Sequence, residues 1–258
     1  MAALPGAIPV VRDPAKYPGA RVADITDATA LRAALAGAAR IISTAHARYA
    51  GAIIAAAPPD ARLIFLGSTR RFSRWPDAHG DGVRAGEAAF LASTRAGVML
   101  HPTMIYGAEG EDNVQRLAAL MRRLPLLPLP GAGRALVQPI HQSDVTACVL
   151  AALENGHGAI TIAGPEALTY AEFCIAVARA AGLKPRRVLP LPATLLIAAS
   201  PLTTILAPLA FLPRIRPDEI RRLTEDKAFD IGPMRRSLGV NPMPLAEGLR
   251  RTFRPSSP

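Results

Sequence analysis

The sequence has few residues of several types, and each shortage excludes a class of protein. Only two of its 258 residues are cysteine, and both fall in apolar helical patterns, so we expect neither a disulfide framework nor a bound metal. Lysine supplies only three of the 30 basic residues, and aromatic residues make up 5%. The net charge of +10 therefore comes from scattered arginines, without the basic helix or aromatic platform that nucleic-acid binding needs. We predict no nucleic-acid partner.

One long stretch, residues 189–212, contains no charged residue and would be long enough to span a bilayer. Four prolines interrupt it, at positions 190, 192, 201 and 208, and each removes a helical hydrogen-bond donor. We expect a pair of short apolar helices packed on the core, with shallow contact at a membrane surface as the alternative. Because the first residues also lack a signal-peptide pattern, we predict a cytoplasmic protein, with peripheral membrane contact through 189–212 left open.

Short apolar runs alternate with longer helical patterns, which is the order expected of parallel strands joined by crossover helices. The last hundred residues are mostly helical in pattern, and Thr169 and Glu172 have the spacing of a capping box. The sequence therefore predicts an α/β fold. Expected strands cover residues 7–11, 21–23, 40–43, 62–66 and 97–100.

Eight short motifs occur in a fixed order along nearly the whole chain. They are VRDP (11–14), DITD (24–27), STA (43–45), GST (67–69), HPTMIYG (101–107), QPIHQSD (138–144), AGPE (163–166) and EDKAFD (225–230) followed by LG (238–239). The ordered set resembles the NAD-dependent epimerase/dehydratase branch of the extended short-chain dehydrogenase/reductase family. It is most similar to atypical members, including those related to the dehydrogenase-like accessory subunit of respiratory complex I.

The resemblance implies a Rossmann-type parallel sheet and a smaller, mostly helical C-terminal lobe on the substrate side. Residues 1–110 would form an incomplete NAD(P)-binding domain, and 111–258 would supply the rest of the core, at about 135–162, and the lobe. Family members begin with a strand and a turn, G-x-x-G-x-x-G, whose backbone amides hold the dinucleotide diphosphate. The chain has no such run, and its match begins at the second family strand. We therefore expect a sheet that lacks its central first strand.

The resemblance also assigns cofactor contacts. Arg12 stands where the family reads the adenosine ribose, and a guanidinium there favours NADP over NAD; a surface arginine at a strand end is the alternative. Without the glycine turn, binding of either dinucleotide is in question. The other assigned residues are Asp24 and Ile25 at the adenine edge, Ser43, Thr44 and Ala45 after their strand, and His101, Pro102 and Thr103 beside the nicotinamide.

The catalytic positions of the family are only partly filled. Ser68 and Thr69 match the strand-end hydroxyl group, but the family's Tyr-x-x-x-Lys pair falls near Gly80 and Arg84. In such enzymes the lysine lowers the tyrosine pKa so that a proton moves as hydride transfers, whereas arginine is effectively never deprotonated. Ordinary tyrosine-based redox catalysis is therefore not expected.

Five residues occupy the part of the resemblance where relatives build a substrate pocket. A nucleotide-linked or lipid-linked small molecule is the implied substrate. His141 would supply an acid or base near neutral pH, with a structural role as the alternative. The five are Tyr106, Asn113, Arg134, Gln138 and His141.

Two functions remain open at this point. The first is an epimerase/dehydratase-like oxidoreductase whose missing glycine-rich unit is encoded upstream of Met1, so that the chain as given is impaired or inactive. The second is a non-catalytic assembly or scaffold protein, as the likeness to the respiratory accessory subunit suggests. The first is motivated by the motifs downstream of the missing unit, which look intact, and the second by the joint absence of the glycine turn and the Tyr/Lys pair.

Overall fold

The computed structural model describes residue 4 and residues 6–107, 113–210 and 217–253. In these ranges the strands are β1 (Val10–Val11), β2 (Arg21–Val22), β3 (Arg40–Ser43), β4 (Arg62–Leu66), β5 (Gly97–Pro102), β6 (Ile105–Tyr106), β7 (Leu126–Pro130), β8 (Leu136–Val137), β9 (Ile140–His141), β10 (Gly158–Ile162), β11 (Leu168–Thr169) and β12 (Arg187–Leu191).

The same ranges contain ten α-helices and four 3₁₀ turns. The helices are α1 (Ala28–Leu35), α2 (Ala50–Ala56), α3 (Ala78–Ala92), α4 (Asn113–Arg123), α5 (Gln142–Ala152), α6 (Tyr170–Ala180), α7 (Ala193–Ala210), α8 (Pro217–Arg222), α9 (Gly232–Leu238) and α10 (Leu245–Phe253). The 3₁₀ turns are η1 (Pro14–Lys16), η2 (Ala47–Tyr49), η3 (Thr69–Phe72) and η4 (Gly131–Gly133).

The main sheet contains four parallel strands in the order β10–β5–β4–β3. β4 and β5 lie in its centre and are apolar on both faces, as parallel strands covered by helices on each side require. Leu63 and Phe65 pack with α2 and α3 on one face, while Ile64, Val98 and Leu100 pack with α5 and α9 on the other. This arrangement confirms the predicted Rossmann-type α/β fold.

The first two strands stand apart from this sheet. β1 and β2 form a separate parallel pair, in which Val10 lies opposite Arg21 and Val11 opposite Val22. Among the described strands, β1 pairs only with β2, and β3 pairs only with β4. Val10 and Val22 are 37% and 54% exposed, which is unusual for a parallel sheet. The division agrees with the expectation that the central strand would be missing.

The C-terminal part of the chain is held by three short strand pairs and a third apolar cluster. β6 pairs with β9 and β7 with β12 in parallel, while β8 pairs with β11 antiparallel. The predicted capping box at the start of α6 is confirmed, because the Glu172 amide donates to Thr169 Oγ1 (3.2 Å) and the Thr169 amide donates to Glu172 Oε2 (2.8 Å). Helices α4, α6 and α10 enclose the cluster, which includes Met121, Phe173 and Leu249.

The expectation of two short helices within residues 189–212 is wrong. A single helix, α7, continues through Pro201, and residues 211–212 lie outside the described ranges. Proline lacks the N–H that would bond the carbonyl four residues earlier, at Ile197, but the Ser200 hydroxyl donates to that carbonyl at 2.8 Å. A local side chain thus replaces the lost bond. None of the helices in the described part is long and apolar enough to cross a bilayer.

Helix α3 approaches η2 so closely that only glycine fits at the crossing. A Cβ atom on Gly86 would lie 2.0 Å from the Ala47 carbonyl oxygen, a distance that side chains do not reach. In contrast, a Cβ on Gly51, an exposed position of α2, would have open space around it.

Two Gly→Ala substitutions in helices should therefore change the free energy of unfolding in opposite directions. Gly86→Ala should lower the free energy of unfolding by about 1–3 kcal/mol, because the extra methyl group overpacks the crossing. Gly51→Ala should raise it by about 0.5–1 kcal/mol, because alanine is the better helix former. Urea unfolding followed by circular dichroism measures both values. Equal stability of the two variants would contradict the close crossing.

Candidate functional site

The loops that follow β4 and β5 are joined at the carboxyl edge of the main sheet. Ser68 follows β4, and its hydroxyl oxygen accepts a hydrogen bond from the Arg70 amide at 3.2 Å. Thr69 Oγ1 donates to the Pro102 carbonyl at 3.2 Å, at the end of β5. Ligands of open α/β sheets bind outside this edge, at the carboxyl ends of the strands. The structure thus brings three of the predicted site residues together where a ligand is expected.

His101 lies beneath that edge and is only 1% exposed. Burial lowers its pKa to about 4, so the ring is neutral near pH 7. The Ser68 amide donates to Nδ1 at 3.1 Å, which leaves the ring proton on Nε2. Nε2 lies 2.7 Å from Glu87 Oε2, and Arg71 Nε lies 2.7 Å from the same oxygen. His101 therefore anchors the Ser68 loop to α3 through a buried polar cluster.

Thr103 and Gln138 form a second buried contact just beyond β5. Thr103 Oγ1 donates to the Gln138 carbonyl at 2.5 Å. The Gln138 side-chain amide donates to the Gly164 carbonyl at 2.8 Å, and its oxygen accepts from the Phe229 amide at 2.7 Å. The side-chain nitrogen and oxygen of Gln138 are therefore both hydrogen-bonded within the protein, and these bonds fix the segment at residue 229 to the sheet.

Tyr106 and His141 meet in the core of the C-terminal lobe. Their ring centroids are 5.3 Å apart, edge to face. His141 Nδ1 lies 2.8 Å from Ser143 Oγ at the start of α5. Burial lowers the pKa of His141, an effect that nearby Asp144 opposes, and burial raises the pKa of Tyr106. In this structure both rings belong to a packed interior.

The remaining predicted residues do not converge. Asp24 is exposed and accepts hydrogen bonds from the Thr26 hydroxyl (2.6 Å) and amide (2.8 Å), which lower its pKa. Ile25 lines a small cavity of about 170 Å³ between α1 and α2. Arg12, Thr44 and Arg134 are exposed, Ala45 is half-buried, Ser43 is buried, and the Asn113 side chain donates to the Ile105 carbonyl.

The turns after β1 and β2 do not fit a dinucleotide diphosphate. A diphosphate needs free backbone amides at a helix start. At η1 the Asp13 carboxylate accepts from the Ala15 amide at 3.1 Å, and Pro14 has no N–H to offer. At α1 the Asp27 carboxylate accepts from the Thr29 and Ala30 amides at 3.0 Å each. A carboxylate thus caps both helix starts, and neither turn can replace the absent glycine turn.

A polar cleft of about 320 Å³ lies between η3 and the segment that follows α8. Hydroxyl groups, aromatic rings and four cationic side chains line it. The lining residues are Thr69, Arg70, Phe72, Ser73, Arg74, Arg222, Thr224, Glu225, Asp226, Lys227 and Phe229. Trp75, the single tryptophan of the chain, lies beside this lining, with the Arg221 guanidinium 5.7 Å from its ring centroid.

The two acidic residues of the cleft are engaged by their own neighbours. Glu225 is buried and accepts from the Ser73 hydroxyl (2.9 Å) and the Arg74 amide (2.7 Å). Asp226 accepts from the Leu136 amide at 2.8 Å. Four cationic side chains line the cleft against these two acids, so the lining keeps a positive charge.

Asp77 connects the two walls of this cleft. Its Oδ1 accepts from the Gly80 amide at 2.6 Å and caps α3, while its Oδ2 pairs with Arg70 and lies 3.2 Å from Arg222 Nη1. Burial alone would raise the pKa of Asp77, but the Gly80 amide and the two guanidinium groups outweigh burial and lower the pKa. One carboxylate thus holds arginines from η3 and α8 together.

Sequence reasoning missed the cleft and the acid beside His101. Arginine and aromatic residues alternate from 70 to 75, and a second arginine pair lies at 221–222, which is the only signal for the cleft. Glu87 sits one turn after Val83 and one turn before Phe90 on the buried face of α3. A buried acid on an apolar helix face requires a partner, so the position of Glu87 was the signal that could have indicated this contact.

Comparison with known proteins shows the fold. No family model and no curated protein sequence matches the chain. Among solved structures, an NADPH-dependent quinone oxidoreductase from Escherichia coli, complexed with NADPH, has a TM-score of 0.72 at 20% identity, over 98% of this chain and 93% of that one.

Two sugar-nucleotide enzymes are similar in the same way. A UDP-glucose 4-epimerase from Thermotoga maritima, solved with UDP-glucose, has a TM-score of 0.65 at 14% identity, over 91% of this chain and 84% of that one. A dTDP-glucose 4,6-dehydratase from Streptomyces venezuelae has a TM-score of 0.68 at 16% identity, over 93% of this chain and 80% of that one. The chain therefore shares the Rossmann-type fold of epimerases, dehydratases and quinone oxidoreductases.

The buried state of His101 should make stability depend on pH. Its folded pKa lies below the ordinary value of 6.5, so the unfolded chain binds the proton more readily. The neutral His101 ring makes its full contribution to the free energy of unfolding above pH 6.5. As the pH falls to 4, this contribution should decrease by at most about 3 kcal/mol. The measurement is urea unfolding at several pH values for the wild type and His101→Gln.

His157 offers the matched control, because its side chain is exposed. His157→Gln should keep the wild-type slope of unfolding free energy between pH 6.5 and 4, whereas His101→Gln should flatten it. If all three proteins lose stability in parallel, His101 is not held neutral by the fold.

Proposed function

We propose that the chain binds a nucleotide-linked, anionic small molecule in the cleft between η3 and the segment after α8, and that by itself it does not catalyse NAD(P)-dependent hydride transfer. The observation that carries the proposal is the surplus of cationic donors in the cleft. Arg70, Arg74, Arg222 and Lys227 line it, against the lining acids Glu225 and Asp226 and the Asp77 carboxylate that Arg70 and Arg222 share. Guanidinium groups from two walls suit the paired oxygens of a diphosphate.

Three features support the substrate class. The cleft opens at the carboxyl ends of the sheet strands, where α/β proteins bind ligands. Phe72 and Phe229, 5.5 Å apart, offer aromatic surface for a base or ring beside the cations. The structurally similar Thermotoga epimerase was solved with UDP-glucose. A lipid-linked diphosphate presents the same anion, and the exposed Leu189 and Leu195 favour peripheral contact with a membrane for such a substrate.

The absence of hydride transfer rests on two observations from the described residues. The chain has no glycine turn, and Asp13 and Asp27 cap the first two helix starts, so neither can hold a dinucleotide diphosphate in its place. Arg84, where the family's lysine would stand, donates to the Arg71 carbonyl at 2.8 Å and cannot act as a base. If adenosine binds at the exposed Arg12, NADP is favoured over NAD.

The second candidate is a scaffold role without small-molecule binding. It is favoured by Gly80 and Arg84 in place of a catalytic pair, both of which have structural contacts here. A variant that no longer binds its anion in the cleft distinguishes the two candidate functions. If a cleft variant unable to bind its anion still restores the phenotype of a deletion strain, the scaffold role stands and the binding role falls.

Replacing Arg222 should test the binding site directly. UDP-glucose should bind saturably by isothermal titration calorimetry, and Arg222→Gln should weaken binding by about tenfold to a hundredfold through loss of a charge-assisted hydrogen bond. Arg221→Gln is the matched control, because Arg221 stacks on Trp75 outside the cleft lining and should change affinity less than about twofold.

NADPH in the same instrument should give no saturable heat. Tight stoichiometric NADPH binding would contradict the conclusion that the turns after β1 and β2 do not hold a dinucleotide diphosphate. Equal loss of UDP-glucose affinity in both arginine variants, or no binding by the wild type, would overturn the cleft as its site.

A further inference from the structure

Two histidines lie against each other at the start of α3, close to its cap Asp77. His46 precedes η2 and His79 lies in the first turn of α3, and their ring centroids are 4.4 Å apart, edge to face. The close crossing of α3 over η2 creates this contact, because Gly82 presents no side chain toward the His46 ring. His46 Nδ1 accepts from the Arg48 amide at 3.1 Å, so the neutral ring carries its proton on Nε2.

The charges that surround this pair are mostly positive. Arg48 on η2, Arg70 on η3 and Arg222 on α8 face it, and Asp77 is the carboxylate that opposes them. A further pair on α3, Asp81 with Arg84, is joined internally. Burial lowers the pKa of both histidines. Arg48 and Arg70 lower the pKa of His46 further. Arg70, the His46 ring and Arg222 lower the pKa of His79, and Asp77 opposes them. The pKa of each imidazole therefore lies below its ordinary value of 6.5.

The pair is linked to the cleft through shared arginines. Arg70 and Arg222 line the cleft, pair with Asp77 and also repel a proton on His79. An anion bound by these two guanidinium groups would cancel the repulsion. The imidazoles would then hold a proton more readily, because opposite charge favours the ionised form.

We propose that the His46–His79 pair takes up a proton when an anion binds in the cleft, so that the cleft holds its ligand more tightly under mildly acidic conditions. The inference rests on the proposed function, whose binding site it regulates. Reciprocity fixes the sign. If the anion favours protonation, protonation favours the anion by the same factor. Affinity should rise as the pH falls below 6.5, by at most tenfold per pH unit for each proton taken up.

The test measures UDP-glucose affinity of the full chain by calorimetry between pH 7.5 and 5.5, in two buffers of different ionisation enthalpy. UDP-glucose is the probe because its diphosphate diester keeps a constant charge over this range. The wild type should bind more tightly at pH 5.5 and take up protons. The double variant His46→Asn/His79→Gln should bind with pH-independent affinity, since asparagine can keep the cap at 46. His157→Gln is the control and should behave as the wild type.

A second readout needs no nucleotide. Sulfate, a dianion of constant charge, should raise the pKa of both imidazoles in an NMR titration of their Cε1 protons, but not in Arg222→Gln. Wild-type binding of UDP-glucose without proton uptake overturns the inference and leaves the proposed function standing. If UDP-glucose does not bind but sulfate raises both pKa values, the proposed substrate class is wrong and the coupling stands. If sulfate moves neither pKa, the coupling is wrong.

Discussion

The carboxylate of Asp77 is the contact on which the arrangement of the candidate site depends. It caps the helix α3, and it also holds one arginine from η3 and another from α8. Two guanidinium groups so close would repel each other without an anion between them. Because Asp77 lies at the helix start, the position of α3 on the sheet determines how the two walls of the cleft meet. The same groups set the electrostatic environment of His79.

The main sheet supplies the rigid base for this arrangement. β4 and β5 are buried on both faces, and the loops at their carboxyl ends carry Ser68, Thr69 and Pro102. The separated pair β1–β2 adds little to that base, since a two-stranded unit with exposed apolar residues is marginal in water. Stability and site geometry are therefore concentrated in the same half of the fold, around the neutral His101 and its partner Glu87.

Local patterns in the sequence predicted the strands β3, β4 and β5, the capping box at Thr169 and the division of the sheet. Each depends on neighbouring residues or on ordered motifs. The continuity of α7 was missed, because it depends on how the Ser200 hydroxyl is oriented. The cleft was missed for a different reason. Asp77 and Arg222 are 145 residues apart in sequence, and no short-range pattern records that they meet. Glu87 illustrates both cases, since its position on an apolar face was visible but its partner His101 was not.

The aromatic edge of the cleft has a practical consequence. Trp75 is the chain's single tryptophan, and the Arg221 guanidinium lies over its ring. Its backbone carbonyl and amide contact the Ser73 hydroxyl, which in turn bonds Glu225 on the opposite wall. All indole emission of the protein therefore originates at this one place. The molecule contains its own optical probe of the cleft between η3 and the segment after α8, without a label and without a second indole.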